Sequence, residues 1–275
     1  MPQTHDGAEA WRRDLGPFKG GHGDGVSPIV YQDLVVVPYE HNGDSALVAL
    51  SRLSGKVHWR VSRKSKSSWS TPCVFRRGGK FDELIFSSWT HGITAINPKT
   101  GDISWEMDVF DKGHTESSIS SPIVAGDLVL GTSGWLGVRK EVIAVRPGKM
   151  AAKNVKAERI YCIDRGAPLC TTPLVKDNLL FLWSDEGIVT CADLASGEVH
   201  WRKRIGSTFY SSPICVDNAV YNISTDGEVV VLKASSQFQE LARNDLGETS
   251  YATPAVSDGV MYIRTASHLL SVGGR

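Results

Sequence analysis

The chain has 275 residues and a mass of 29.9 kDa, and 41% of its residues are hydrophobic while 22% are charged. This composition can bury a large core and excludes a disordered or collagen-like chain. Thirty basic and thirty acidic residues cancel, so the protein has no overall field that would hold it on nucleic acid or an anionic bilayer. No apolar run approaches the roughly 20 residues that span a bilayer, so membrane insertion is not expected.

Neither the N-terminal residues nor the cysteines of this sequence identify the compartment of the protein. Residues 1–6 lack the basic and apolar segments of an export signal, so the chain as written is expected to enter no export pathway. The five cysteines form neither a Cys-x-x-Cys motif nor an adjacent pair. Three of them lie in apolar runs, where buried reduced thiols are expected: Cys73, Cys191 and Cys215.

A polar pair followed by proline and an apolar run recurs six times, and this repeat decides the predicted architecture. Residues 120–124 (Ser-Ser-Pro-Ile-Val) and 211–214 (Ser-Ser-Pro-Ile) are typical copies. The six prolines follow one another at intervals of 40 to 51 residues: Pro28, Pro72, Pro122, Pro173, Pro213 and Pro254.

Each copy continues with signals for further short strands. A polar or glycine tip follows the proline segment, and then comes a second β-rich run, at residues 34–37, 84–86, 128–130, 179–183, 219–223 and 260–263. A second tip and a third strand follow, and three units end in Gly-x-x-x-Trp, at Trp59, Trp105 and Trp201. Four antiparallel strands in each period are typical of a blade of a β-propeller, so the predicted fold class is all-β.

The proline and the tryptophan have expected places in the blade. Proline is predicted as the first residue of the innermost strand, where its missing N–H costs no ladder bond. The tryptophans, with Trp11 as a fourth member, are predicted to dock neighbouring blades rather than to form a cofactor platform. Two units are degenerate, since the third has an expanded segment over residues 135–163 and the fifth has Leu241 or Ala242 in place of tryptophan. Softer blade interfaces are expected there.

The N-terminal segment is predicted to close the ring. The last unit, residues 254–272, supplies three strands and has no Gly-x-x-x-Trp, whereas Gly7 to Trp11 has this spacing. Residues 11–16 (Trp-Arg-Arg-Asp-Leu-Gly) also resemble residues 201–206 (Trp-Arg-Lys-Arg-Ile-Gly). We therefore expect residues 8–14 to form the outer strand of the last blade, which gives one six-bladed domain over residues 1–275 with repeats starting near 28, 72, 122, 173, 213 and 254.

The assembled repeat, Ser-Ser-Pro-Ile-Val, then Asp-Gly, then Ala-x-Asp-x-x-Thr-Gly-x-x-x-Trp, resembles that of pyrroloquinoline-quinone-like (PQQ-like) β-propellers over nearly the whole chain. This superfamily includes quinoprotein alcohol dehydrogenases and outer-membrane assembly lipoproteins of the BamB type. Family members usually have seven or eight blades, so an intact six-bladed ring and a truncated larger ring both remain open. The resemblance is specific for the fold and weak for the chemistry, because function resides in sites.

The resemblance implies one enzymatic alternative, a PQQ-dependent quinoprotein oxidoreductase acting on alcohols or sugars. Such enzymes clamp the quinone with a tryptophan platform and a vicinal disulfide, and they hold calcium with Asp, Glu and Asn oxygens. This sequence has no adjacent cysteines, and no such ligand set transfers onto its residues. We therefore assign no catalytic, cofactor-binding or metal residues, and PQQ with calcium is expected only under this alternative.

One face of the predicted propeller carries the loops that enter the inner strands and the tips between second and third strands. Residues three before the prolines are expected around the channel mouth: Gly25, Trp69, Ile119, Cys170, Tyr210 and Tyr251. Trp69, Tyr210 and Tyr251 are of the type enriched at binding hot spots, with packing on neighbouring loops as the alternative. The hydroxyl pairs beside them are expected to satisfy backbone groups, because no nucleophile elbow, Walker motif or His-Glu-x-x-His accompanies them.

The same face is expected to collect five of the eight histidines: His22, His41, His91, His114 and His268. Two of them stand near carboxylates, His22 with Asp24 and His114 with Glu116. Imidazole and carboxylate from two loops suit a divalent metal or an anionic ligand, and solvated loop residues are the alternative.

The sequence thus predicts a non-catalytic, monomeric propeller that presents this face to a protein, peptide or extracellular ligand. The face comprises Trp69, Tyr210, Tyr251, His22, Asp24, His91, His114 and Glu116. The resemblance implies a place outside the cytoplasm, in the periplasm or cell envelope. A fragment whose active blades are missing is a third reading of the same repeat.

Overall fold

The structure, a computed structural model, describes residues 8–23, 25–77, 81–112, 117–148 and 156–273. Every extended regular element in these ranges is a β-strand. None of the described residues forms a helix long and apolar enough to cross a membrane. The all-β prediction is therefore confirmed.

The strands form six antiparallel sheets, each built from consecutive strands. The first sheet contains β1 (Ile29–Tyr31), β2 (Leu34–Tyr39), β3 (Ala46–Ser51) and β4 (Val57–Ser62). The second contains β5 (Cys73–Arg76), β6 (Asp82–Ser88), β7 (Gly92–Ile96) and β8 (Ile103–Met107). The third contains β9 (Ile123–Ala125), β10 (Leu128–Ser133), β11 (Glu141–Pro147) and β12 (Ala157–Ile163).

The remaining sheets follow the same order along the chain. The fourth contains β13 (Leu174–Lys176), β14 (Leu179–Trp183), β15 (Ile188–Asp193) and β16 (Val199–Arg204). The fifth contains β17 (Ile214–Val216), β18 (Ala219–Ile223), β19 (Glu228–Lys233) and β20 (Glu240–Asp245). The sixth contains β21 (Ala255–Ser257), β22 (Val260–Arg264) and β23 (Leu269–Gly273).

The repeat prolines lie immediately before the first strands, not inside them. Strand β1 starts at Ile29 after Pro28, and the same offset of one residue recurs in all six sheets. This corrects the expectation that proline is the first strand residue. The physical reason is unchanged, because a proline just outside the ladder has no N–H to leave unpaired.

The ladder register fixes the position of the aromatic residue in each outer strand. Trp59 pairs with Ala49, and Trp105 and Trp201 occupy the same position in their sheets, each beside a register shift. In the fifth sheet this position belongs to Ala242, which pairs with Val231 beside a similar shift. The degenerate position of the fifth unit is therefore Ala242, and Leu241 is the exposed neighbour.

Three aromatic side chains lie directly over turn glycines with positive φ. A Cβ on Gly101 would lie 2.9 Å from Trp59 Cγ, and one on Gly55 would lie 2.5 Å from Trp11 Cε3. Trp59 Nε1 also donates to Pro98 O (2.8 Å), and Trp11 Nε1 donates to Arg52 O (2.9 Å). Only glycine leaves room for such close contact, so the tryptophan and the Gly-x-x-x-Trp turn depend on each other.

The third sheet supplies an aromatic residue that the sequence analysis missed. Tyr161 of β12 lies over Gly197, where an added Cβ would be 2.6 Å from the ring, and its hydroxyl donates to Leu194 O (2.8 Å). Burial, followed by the charge of Asp193, raises the pKa of Tyr161. The expanded third unit hid this residue because its Gly-x-x-x-Trp spacing is lost.

The N-terminal segment differs from the prediction. Residues 8–14 form no strand, and the sixth sheet has three strands among the described residues, in the order β21-β22-β23. The expected outer strand is thus replaced by a side-chain anchor, because Trp11 is held to the first sheet by Gly55 and Arg52 without strand pairing. The packing of the expected tryptophan is therefore present, but the expected strand over residues 8–14 is not.

Contacts divide the chain into two compact units. Unit 1 comprises Met1–Trp135 with Ala144–Arg159, and unit 2 comprises Leu136–Ile143 with Ile160–Arg275. Third strands of unit 1 are buried on both faces, as in β3 and in β7, which is buried throughout. The core of unit 1 includes Val36, Leu47, Trp59, Leu84, Phe86 and Ile96, and that of unit 2 includes Phe181, Trp183, Trp201, Phe209, Val220 and Leu232.

Replacement of Trp105 by alanine is expected to lower the free energy of unfolding by about 3 to 5 kcal/mol, because a buried aromatic side chain is lost. Its indole Nε1 also donates to Glu83 (3.3 Å), a buried carboxylate that pairs with Arg77 (3.0 Å). Chemical denaturation measures the effect. Ile103→Ala, an exposed position on the same strand, serves as the control and should cost less than about 0.5 kcal/mol. Equal effects of the two substitutions would contradict a docking role for Trp105.

Candidate functional site

Hydroxyl side chains link the loops that enter the first strands. In unit 1, Thr71 N donates to Ser121 Oγ (3.1 Å). In unit 2, Thr172 N donates to Ser212 Oγ (2.9 Å), and Ser212 N donates to Thr253 Oγ1 (2.9 Å). In these three cases the polar pairs before the prolines satisfy backbone groups, as predicted, and fix one loop to the next.

An exposed aromatic pair stands on two of these loops in unit 2. The rings of Tyr210 and Tyr251 are stacked, with centroids 6.1 Å apart and an interplanar angle of 21°. Tyr210 is 42% exposed and Tyr251 is 62% exposed. The structure thus brings two of the predicted face residues together and leaves a large part of each side chain exposed to solvent.

The loop that carries Tyr210 is anchored to its surroundings. Phe209 is fully buried, and its N–H donates to Asp185 O (3.2 Å). Thr225 N donates to Thr208 O (2.8 Å) from the neighbouring tip. Such anchors hold Tyr210 in place before any ligand arrives, which lowers the entropic cost of binding.

Two clefts adjoin this loop in unit 2 and share Ser207. The first, of about 410 Å³, is lined by Leu136, Asp185, Glu186, Arg204, Gly206, Ser207, Thr208 and Tyr210. The second, of about 400 Å³, is lined by Ser207, Ser224, Asp226, Glu228 and Asp245. Together they present five carboxylates and one guanidinium.

Lys140 neutralises part of the first cleft. Its Nζ lies 3.3 Å from Asp185 Oδ2 and also forms an ion pair with Glu186. Asp185 additionally accepts from Leu169 N (2.7 Å) and Cys170 N (3.0 Å). Burial opposes ionisation of Glu186, but the hydrogen bond and charge of Lys140 hold the pKa of Glu186 below its ordinary value. Both carboxylates are thus built into the fold.

The aromatic residue predicted in unit 1 has a different environment. Trp69 is half-buried and donates from Nε1 to Gly23 O (3.0 Å). The ring of His22 lies 6.0 Å from Trp69 and 5.7 Å from Trp135. Trp69 therefore packs on a neighbouring loop, the alternative that the sequence left open. Three other predicted face residues lie outside the described residues: Asp24, His114 and Glu116.

The remaining histidines do not form one exposed group. His41 is buried, its Nδ1 accepts from Gly43 N (3.0 Å), and burial lowers its pKa. His91 is half-buried 3.5 Å from Glu106. His268 is exposed, and its Nδ1 lies 2.7 Å from Glu248 Oε1.

A buried ion network in unit 1 was not foreseen. Arg63 Nε lies 3.2 Å from Glu40, and Arg63 Nη2 lies 3.4 Å from Glu106 and 3.1 Å from Thr94 Oγ1. Burial raises the pKa of Glu40 against the opposing charge of Arg63. No motif announces these residues, because the sheets bring them together from distant parts of the sequence.

Glu248, three residues before Tyr251 in the sequence, is a carboxylate surrounded by hydrogen-bond donors. It accepts hydrogen bonds from Ser267 Oγ (2.6 Å), Thr265 Oγ1 (2.7 Å) and Ser267 N (3.1 Å). These donors favour the charged form and lower the pKa of Glu248 to about 2. Glu248 therefore carries a negative charge throughout the physiological range.

The described ranges contain no group of three or more His, Cys, Asp or Glu residues arranged to hold a metal ion. The hypothesis of a joint site of His22 and His114 with carboxylates falls partly on residues outside those ranges. The five cysteines are free, and burial raises the pKa of Cys73 and Cys191 to about 12. The residues that the structure describes thus do not fit the calcium cage of a quinone site, and no two cysteines of the sequence are adjacent for its vicinal disulfide.

Repeat, sheets and strand order together define a class, the PQQ-like β-propellers. Over residues 3–144 and 155–272 the chain matches the family model described as outer membrane protein assembly factor BamB. The chain belongs to this family.

Two BamB proteins show low sequence identity to the chain. The outer membrane protein assembly factor BamB of Yersinia pestis is 22% identical over 237 residues, which cover 84% of this chain and 57% of that protein. The protein of the same name from Escherichia coli strain K12 is 22% identical over 302 residues, covering 92% and 75%. The chain thus spans little more than half of the Yersinia relative.

Solved structures show the same fold. BamB from Moraxella catarrhalis aligns with a TM-score of 0.65 at 16% identity, over 89% of this chain and 70% of that one. A europium-containing methanol dehydrogenase aligns with a TM-score of 0.63 at 15% identity, over 93% and 63%. A quinohemoprotein alcohol dehydrogenase from Comamonas testosteroni gives 0.61 at 12% identity, over 89% and 52%. At these identities the likeness concerns the fold alone.

Titration of the Glu248 carboxyl by NMR is expected to give a midpoint near 2, against an ordinary value of 4.5. Ser267→Ala removes the largest cause and should raise the midpoint, whereas Ser257→Ala on β21 should leave it unchanged. Because the folded-state pKa is depressed, the stability supplied by Glu248 is present above pH 4.5 and is lost as the pH falls through about 2. A midpoint near 4.5 in the unmodified protein would refute the hydrogen-bond arrangement.

Proposed function

We propose that the chain is a non-catalytic scaffold that binds a protein or peptide partner in outer-membrane protein assembly. The observation that carries the proposal is the stacked, exposed pair of Tyr210 and Tyr251 on anchored loops beside two clefts. Exposed tyrosines with fixed backbones are the residues on which protein interfaces concentrate binding energy. The family to which the chain belongs, described as outer membrane protein assembly factor BamB, supports the same proposal.

The proposal extends to compartment and assembly state. The relatives named above are described as outer membrane protein assembly factors. By this kinship we place the protein outside the cytoplasm, in the periplasm or cell envelope, as a monomer in one propeller domain. In unit 1 the proposed surface includes Trp69, His22 and His91, and by extension the predicted residues Asp24, His114 and Glu116.

The enzymatic alternative is a PQQ-dependent oxidoreductase, and two of the aligned structures above are dehydrogenases. Two tryptophans of the Gly-x-x-x-Trp set have packing roles, since Trp59 packs on Gly101 and Trp201 donates to Ser235 O (3.0 Å). This packing favours the scaffold, for which we expect no cofactor.

Titration with PQQ, in the presence and absence of calcium, separates the two functions. The scaffold should show no saturable quenching of the fluorescence of its eight tryptophans and no dye-linked oxidation of alcohols or sugars. Saturable binding at one equivalent, with dye reduction, would establish the oxidoreductase in its place. Circular dichroism of the same sample confirms that the titrated protein is folded.

Site-specific photo-crosslinking tests the docking surface. p-Benzoylphenylalanine in place of Tyr251 should form an adduct with a component of outer-membrane protein assembly in native cells, because this ring is exposed and lies at the proposed interface. Mass spectrometry identifies the adduct. The same label in place of Leu241, which is 47% exposed on β20 of the same unit, is the matched control. Adducts at position 241 with none at position 251 would overturn the proposed surface.

A further inference from the structure

The surface beside Tyr210 and Tyr251 has an excess of negative charge. The two adjoining clefts are lined by Asp185, Glu186, Asp226, Glu228, Asp245 and a single cation, Arg204. The Arg204 guanidinium donates to the Glu186 carbonyl oxygen (2.7 Å), so it is directed at backbone. The charge of the lining is therefore unlike that of the chain as a whole, whose charges cancel.

Two of these carboxylates are held by neutral donors. Asp226 accepts from Ser207 Oγ (2.6 Å), and Asp245 accepts from Gly247 N (2.8 Å). In contrast, Glu228 pairs with Arg243 (2.7 Å), and Lys140 pairs with Asp185 and Glu186 in the first cleft. The second cleft thus contains two negative charges, Asp226 and Asp245, which hydrogen bonds orient and which form no ion pair with any residue that the structure describes.

The stacked tyrosines supply an independent feature that attracts cations. The faces of aromatic rings carry partial negative charge, and a guanidinium or ammonium group over such a face gains about 0.5 to 1 kcal/mol at an exposed site. Tyr210 lines the first cleft and stacks on Tyr251, so the ring faces and the carboxylates border one surface. A basic side chain can therefore form an ion pair with a carboxylate or a cation–π contact with a tyrosine ring on this surface.

We infer that the clefts and the tyrosine pair bind a basic segment of the partner, an extended peptide whose arginine or lysine side chains enter the acidic clefts while another packs on Tyr210 and Tyr251. The inference rests on the proposed function and specifies the chemistry of its partner. Acidic peptides and nucleic acid are repelled by the same carboxylates. A purely apolar segment would leave the carboxylates of Asp226 and Asp245 desolvated and unpaired.

Fluorescence anisotropy with short fluorescein-labelled peptides tests the inference on the full chain. Peptides of Gly-Ser-Arg repeats should bind, and peptides of Gly-Ser-Gln or Gly-Ser-Glu repeats of equal length should not. Tyr210→Ala with Tyr251→Ala should weaken binding of the arginine peptide about threefold to tenfold, as for the loss of one or two cation–π contacts. Asp226→Asn with Asp245→Asn should weaken it at least as much and reduce its dependence on salt.

A charge-matched control separates a site from general attraction. Asp33→Asn with Asp127→Asn removes two exposed carboxylates of unit 1, whose side chains are 82% and 69% exposed. This variant should bind the arginine peptide as the unmodified protein does. Equal weakening in both double variants, or no binding of the arginine peptide by folded protein, would overturn the inference. Crosslinking at position 251 with no preference among the peptides would overturn the basic partner and leave the scaffold standing.

Discussion

Contact between an aromatic ring and a turn glycine is the constraint on which the sheet stack depends. Each sheet alone exposes apolar faces, so it is stable only when the next sheet covers them. Trp11 over Gly55, Trp59 over Gly101 and Tyr161 over Gly197 place one ring against a turn that has no side chain of its own. Since each ring also donates to a backbone carbonyl of that turn, the contact sets the separation of the two elements as well as their cohesion.

The charged side chains fall into two groups, those that form ion pairs inside the fold and those that line the surface clefts. Arg63, Glu40 and Glu83 are buried, so each of these charges must be paired, and the partly exposed Glu106 and Arg77 complete their ion pairs. Asp226 and Asp245 line an open cleft, where solvent can hydrate their carboxylates. This division explains why a chain of zero net charge still presents a local acidic surface.

The sequence was informative where the signal is periodic and poor where it is not. Six prolines and their hairpin tips predicted every first and second strand, because local turn chemistry and alternation act within a few residues. The register of Ala242, the use of Tyr161 in place of tryptophan and the lack of a strand over residues 8–14 depend on which distant segments meet, and local sequence patterns do not encode that pairing. The grouping of Tyr210 with Tyr251 was foreseen because both residues stand three positions before a repeat proline. The clefts lined by Asp185, Asp226 and Asp245 were not foreseen, because no repeated motif marks these residues.

The hydroxyl links between entry loops have a consequence for how the surface varies. Thr172 N to Ser212, and Ser212 N to Thr253, form a relay in which each side chain accepts from the backbone of the preceding repeat. The relay uses only an oxygen that serine and threonine share, so it fixes the spacing of the loops without dictating which residue stands at their tips. Tyr210 and Tyr251 thus stand on loops whose spacing does not depend on the tyrosine side chains. Their identities are free to change by single substitutions, and the binding preference of the surface can diverge while the architecture beneath it stays the same.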